Sequence, residues 1–380
     1  MPNSSTLLVD HPGSFIAEEL EARGWAQADL AYILGVDVSQ LNRLIKGTTD
    51  ITPDSAVALG DAFDMPAEFF MNLQKLYDLQ HARKADPGVK TRASWLSVFP
   101  VREMIKRGWI EDAEPGLLDL QMLRFFDKNR VDDIPFVGSA PILAHAAKKS
   151  AYDETTPIQF AWLHRVKKIA ESIEAPLYSE GALRSSLQNI RAHMLDRDDL
   201  KHIPELLRKS GVRFVIVEAL PGSKIDGVCL WLDQQPVIGM TLRLDRMDNF
   251  CFVLRHEIEH VLRGDGKDAS FSPVDEFNPD HDQNFDIPEC EIIANRAAAE
   301  FCVSQDLLNS FIVRKSPFIS EQDVLAFSAR VEINPSVIVG QIQNKTKKYG
   351  WLRKYQTSIK ECLLDWKFKD GWGHFAPTNL

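Results

Sequence analysis

No apolar run in the 380 residues of this chain approaches the ~18 to 20 needed to cross a bilayer. The opening stretch, MPNSSTLLVDHPGSF, has neither the basic start nor the apolar core of a secretion signal. Cysteine is scarce. Its five residues (Cys229, Cys251, Cys290, Cys302 and Cys362) are odd in number and form no C-x-x-C pair. This argues against a disulfide framework and for free thiols in a reducing cytoplasm, where the chain is expected to reside. Positive charge is also short: 44 Lys and Arg stand against 54 Asp and Glu, a formal net charge of −10. Acidic proteins are poor general binders of phosphate backbones. The remaining composition, 44% hydrophobic and 26% charged, is that of a globular protein long enough for two or three cores.

Residues 14 to 79 read as short helices joined by tight turns. SFIAEELEARG puts Phe15, Ile16 and Leu20 on one stripe and stops at Gly24. AQADLAYILGV follows, with Leu30, Ala31 and Leu34 apolar, and stops at Gly35. DVSQLNRLIKG begins with Asp37 as a cap, is expected to bury Val38, Leu41, Leu44 and Ile45, and stops at Gly47. Two short helices across a Gly-containing turn form a helix-turn-helix, whose second helix enters the major groove. Gln27, Ser39, Gln40, Asn42, Arg43 and Lys46 are then the candidate contacts to base edges and phosphates.

This segment closely resembles the HigA-type antitoxin subfamily of Xre-like regulators. The resemblance lies in His11-Pro12-Gly13, Gln27-x-x-Leu30-Ala31, Leu34-Gly35-Val36, Gly47 before Ile51-Thr52, and the closing FFMNLQKLYDL. It implies binding of operator DNA as a homodimer, often alongside a toxin partner. One feature runs the other way. Residues 1 to 80 carry four basic residues (Arg23, Arg43, Lys46 and Lys75) against twelve acidic ones, the reverse of the usual bias for a polyanion binder.

The middle of the chain says little about chemistry. Asp86-Pro87-Gly88 marks a turn and a boundary. PIQFAWLHRVKKIAESI is an amphipathic helix with Phe160, Trp162, Leu163, Val166 and Ile169 apolar, and His164 reads as a packing or surface residue. At residue 211 the pattern changes. GVRFVIVEAL, GVCLWL and VIGMTL read as three strands, with a turn at Asp233-Gln234-Gln235-Pro236.

A helix from about Asp248 to Arg263 comes next, centred on His256-Glu257-Ile258-Glu259-His260 and stopped by Gly264 and Gly266. Positions i and i+4 share a helix face, so His256 and His260 can direct imidazoles at one ion. Glu257 lies one step round, placed to take a proton from an attacking water. PECEIIANRAAAEFCVS offers a third ligand in Glu291, 31 residues after His260, with Glu289 as its rival. Two histidines and a glutamate make an open zinc site suited to catalysis.

This region resembles the ImmA/IrrE family of zinc metallopeptidases. The resemblance is carried by Leu220-Pro221-Gly222, Ile225-Asp226-Gly227, Pro236-Val237-Ile238, the His256-Glu257-x-x-His260 helix, and Glu291-x-x-Ala294-Asn295 followed by Ala298-Ala299. It implies Zn2+ as cofactor, His256, His260 and Glu291 as ligands, Glu257 as base, and Asn295 orienting a ligand histidine. It also implies cleavage of a regulatory protein such as a repressor or antitoxin. In zinc peptidases of this layout an edge strand holds extended substrate, and VIGMTL is the candidate for it. Glu259 departs from the family by adding charge near the metal. The acidic stretch KDASFSPVDEFNPDHDQNFDI reads as a surface loop or a lid. Arg263, His281 and Arg296 are all open as oxyanion stabilisers, and Cys290 as either a thiol ligand or an inert thiol.

The expected organisation is mostly α with a small α+β domain. A five-helix helix-turn-helix domain spans 1–84 and a helical connector 85–205. A zincin-like metallopeptidase domain with a three-stranded sheet spans 206–320, and a helical C-terminal extension 321–380. The alternative is a non-proteolytic antitoxin or autorepressor that neutralises a toxin by binding, with the zinc domain as scaffold.

Overall fold

A computed structural model describes residues 10–86, 88–112, 114–137, 155–267, 274–275 and 288–378. The chain divides into two units, Met1–Asp86 and Pro87–Leu380. In the first unit five helices run α1 (Pro12–Arg23), α2 (Gln27–Leu34), α3 (Val38–Ile45), α4 (Pro53–Phe63) and α5 (Ala67–His81). The stops at Gly24 and Gly35 are as expected. Ile16, Leu30, Leu41, Leu59, Phe63 and Phe70 form the core. Val38 corrects its expectation: at the first position of α3 it is 46% exposed, because the inward face of that helix is taken by Leu41 and Leu44.

The second unit is built on one mixed sheet. Its strands are β1 (Arg213–Val217), β2 (Gly227–Leu232), β3 (Gln235–Met240), β4 (Val274–Asp275) and β5 (Lys369–Asp370). They are ordered β4-β2-β3-β1-β5. The three expected strands are present, and two two-residue strands extend them to five. β3 lies between β2 and β1, so VIGMTL is interior and not the edge. It is β2 that carries the outer pairing, antiparallel to β4 through Gly227↔Asp275 and Val228↔Val274.

Strand alternation sends successive side chains to opposite faces, and in β1 both faces are buried. Phe214 and Ile216 enter one core with Val253, Leu254 and Ile258 of the helix Met247–Arg263. Val215 and Val217 enter another with Trp162, Val166 and Ile169 of the helix Pro157–Glu171. The sheet is therefore sandwiched between helices, and the connector helix Pro157–Glu171 forms one of its covering layers. His164 on that helix is packed among Phe125, Phe126 and Phe160, as a packing residue should be.

The C-terminal segment is not simply helical. After the helices Glu321–Val331 and Pro335–Thr346 it returns to the sheet, where β5 pairs in parallel with β1. There Asp370 is buried and paired with Arg165, and Trp109 Nε1 donates to its Oδ1 at 3.4 Å. Trp351, Tyr355 and Trp366 pack against the core.

Candidate metal centre

The helix Met247–Arg263 buries Phe250, Val253, Leu254, Val261 and Leu262, which fixes its rotation about its own axis. That rotation turns His256 (4% exposed) and His260 (0%) inward toward the helix Glu289–Cys302, where Glu291 is 5% exposed. The two His Nε2 atoms lie 3.0 Å apart. Glu291 Oε2 is 3.2 Å from His256 Nε2, and its Oε1 is 3.4 Å from His260 Nε2. Donors bound about 2.0–2.2 Å from a tetrahedral ion stand roughly 3.3–3.6 Å apart. The three donors stand within about 0.3 Å of that range, and the cluster can hold a metal ion. Glu289 is exposed at the first position of its helix and does not join it.

Glu257, next to His256 on the helix, is completely buried. A Cβ placed on Gly227 of β2 would meet Glu257 Oε1 at 2.3 Å and Val253 Cγ1 at 2.7 Å. The strand backbone thus lies directly against the carboxylate, in space that only glycine leaves open. Below it, buried Asp226 is gripped by Arg243 at 2.7 and 3.2 Å, anchoring the turn into β2.

Several candidate residues find definite places. Glu259 pairs with Arg255 at 2.7 Å, and Arg255 stacks over Phe301, so the extra charge on the motif is compensated within one helical turn. Arg263 Nε is 3.2 Å from Asp265 Oδ2. Arg296 and Asn295 are exposed, and among the described residues no hydrogen bond joins Asn295 to a ligand histidine. Burial first, then the Glu291 and Asp265 carboxylates, push the Cys290 thiol above its usual range, which suits an inert thiol. His281 and most of the acidic stretch lie outside the described residues.

Asp265 escaped the sequence reading. Its Oδ2 is 2.9 Å from His260 Nδ1. The available signal was a carboxylate directly after the helix-stopping Gly264.

In the first unit, Gln27, Ser39, Gln40, Arg43 and Lys46 are exposed and Asn42 is half-buried on α3. Residues 16–70 match the helix-turn-helix family model HTH_3. Virulence-associated protein I of Dichelobacter nodosus is 35% identical over 75 residues, covering 20% of this chain and 69% of that protein. An uncharacterized HTH-type transcriptional regulator of Haemophilus influenzae is 36% identical over 76 residues, covering 19% of this chain and 71% of that protein. Among solved structures, the Pseudomonas aeruginosa antitoxin HigA with the higBA promoter is 35% identical, covering 19% of this chain and 80% of that one, with a TM-score of 0.19. Each match covers about a fifth of the chain. The family model and the two relatives support an N-terminal helix-turn-helix domain.

Proposed function

The chain belongs, through residues 16–70, to the helix-turn-helix family, and from that premise we propose a cytoplasmic zinc-dependent endopeptidase joined to a DNA-binding regulator. The observation that carries the reading is the convergence of His256, His260 and Glu291, with Glu257 buried beside them against β2. Two imidazoles and one carboxylate suit Zn2+, and three protein donors leave a fourth position for water or substrate.

Zinc held by His256, His260 and Glu291 would supply Lewis-acid polarisation and a more acidic water. The chain's own contribution follows from its packing. Glu257 takes the proton of the attacking water and returns it to the leaving amine, held in one place by β2 and its helix. The Arg255–Glu259 pair keeps a second carboxylate occupied away from that proton path. Asp226 and Arg243 fix the strand whose backbone bounds the reacting region.

The substrate of this reading is a regulatory protein: a repressor, an antitoxin or a toxin in a toxin-antitoxin, phage or stress-response setting. The fused regulator domain supports it, since that domain brings the peptidase to the proteins that share its control circuit. Operator DNA is the proposed second partner. Ser39, Gln40, Asn42 and Arg43 on α3, Lys46 at its end and Gln27 on α2 would form the contact surface, in a homodimer made through the first unit. No described helix is long and apolar enough to cross a membrane. Co-expression with the proteins encoded beside it tests the reading: wild type should cleave one of them and Glu257→Gln should leave it intact.

A further inference from the structure

The helix Met247–Arg263 ends on Gly264, whose backbone is left-handed (φ 75°). Gly264 N–H donates to the Val261 carbonyl at 3.1 Å, and Asp265 N–H to the His260 carbonyl at 3.0 Å. Together they form the paired bonds of a Schellman turn. The turn folds the chain back so that Asp265 meets the same residue twice, once through its backbone and once through its side chain. Its Oδ2 reaches His260 Nδ1 at 2.9 Å, on a ring with no exposed surface. The carbonyl of Asp265 is held from the other side, accepting Trp231 Nε1–H of β2 at 2.8 Å. That indole is braced by the Lys267 ammonium 4.5 Å above its ring and by the edge-on ring of Tyr178. Arg263 Nε donates to the same Oδ2 at 3.2 Å.

From this arrangement we propose that Asp265 is a positioning residue for the metal centre, accepting the Nδ1–H of His260 and so fixing the tautomer whose Nε2 lone pair faces His256 and Glu291. A neutral imidazole carries one proton, and which nitrogen bears it is set by the partner of the other. With Nδ1–H committed to Asp265, the ring cannot rotate away from the cluster and Nε2 stands ready as a donor. The sheet takes part, because Trp231 holds the Asp265 carbonyl from β2, the strand that also bounds Glu257. The proposal rests on the metal-centre reading above.

The test measures zinc dissociation constants for the full chain by competition with a chromophoric chelator, for wild type, Asp265→Leu and Asp265→Ala. Long-range 1H–15N spectra of the zinc-loaded chains read the His260 tautomer. The expected result is a loss of affinity of roughly 10- to 100-fold in both variants, with a wild-type spectrum that shows His260 protonated at Nδ1. Wild-type affinity in Asp265→Leu, or a lowered melting temperature of the metal-free chain with affinity unchanged, would reduce Asp265 to a helix-end residue and overturn the proposal. If Asp265→Ala fails to fold, Asp265→Leu, which keeps the shape of the side chain but cannot accept a hydrogen bond, decides. A wild-type chain that takes up no zinc removes the metal-centre reading and the proposal together. Zinc uptake by wild type with equal affinity in the variants removes the proposal alone.

Discussion

Gly227 and Glu257 are in contact through backbone and carboxylate: a single added methyl on Gly227 would stand 2.3 Å from Glu257 Oε1. The strand backbone and the Glu257 carboxylate are therefore fitted closely to each other. Gly227→Ala should displace Glu257 or bow β2, costing about 1–3 kcal/mol as overpacking does. Cleavage of the partner should fall at least tenfold while zinc binding persists, because the three ligands come from two helices behind the strand. Chemical denaturation and zinc titration of the same variant check both halves.

Metal removal should be felt across the second unit. Ligands drawn from the helices Met247–Arg263 and Glu289–Cys302 tie two covering elements together. Free zinc at 100 times its dissociation constant stabilises a folded site by about 2.7 kcal/mol. Calorimetry with and without chelator should show that gain in wild type and its loss in Glu291→Ala.

His164 makes the fold acid-sensitive. Burial among aromatic rings lowers its pKa to about 4, against the opposing pull of Asp127. The unfolded chain takes up that proton near pH 6.5 and the folded chain does so only near pH 4. Stability is thus fully present above pH 6.5 and declines as pH falls toward 4, by up to roughly 3 kcal/mol at 1.36 kcal/mol per pKa unit. Urea unfolding between pH 7.5 and 4.5 should show the decline, and His164→Phe should flatten it.

Much of this architecture was legible in the sequence, for identifiable reasons. GVCLWL became β2 over Gly227–Leu232, and the Gly stops bounded α1 and α2. Periodicity and helix punctuation are local properties. The order of the strands is not, which is why VIGMTL reads as an edge yet lies inside: β1 pairs in parallel with β3, and β2 lies on the far side of β3. β4 and β5, two residues each, are too short to show alternation. Within the site, His256 and His260 follow from helical spacing, whereas Glu291 stands on a different helix and the sequence leaves Glu289 as its rival. The bond from Asp265 to His260 depends on a left-handed turn that brings residues five apart together, which no helical period reveals.

The Arg165–Asp370 pair should be the most sensitive staple of the C-terminal segment. Both side chains are buried, and desolvation raises the Asp370 pKa despite the adjacent guanidinium. Removing one partner leaves the other uncompensated, at a cost of about 3–5 kcal/mol. Asp370→Ala should lower the denaturation midpoint accordingly, and the double change Arg165→Met with Asp370→Leu should restore much of the loss.

In the first unit, Arg43 on α3 and Lys46 at its C-terminal cap are exposed cations. If both meet phosphates, Arg43→Ala and Lys46→Ala should each reduce the salt slope of operator binding by about 1. Fluorescence anisotropy across a salt series on the chain's own upstream promoter measures it. Binding that is insensitive to salt, or absent, would remove DNA from the proposed partners.

The most direct test of proteolysis is intact-mass spectrometry of each neighbouring gene product after co-expression with wild type or with Glu257→Gln. The expected result is a partner cut at one position by wild type, left whole by Glu257→Gln, with zinc bound equally by both chains. Identical fragments from the two chains, or no fragments from wild type under any stress condition, would contradict it.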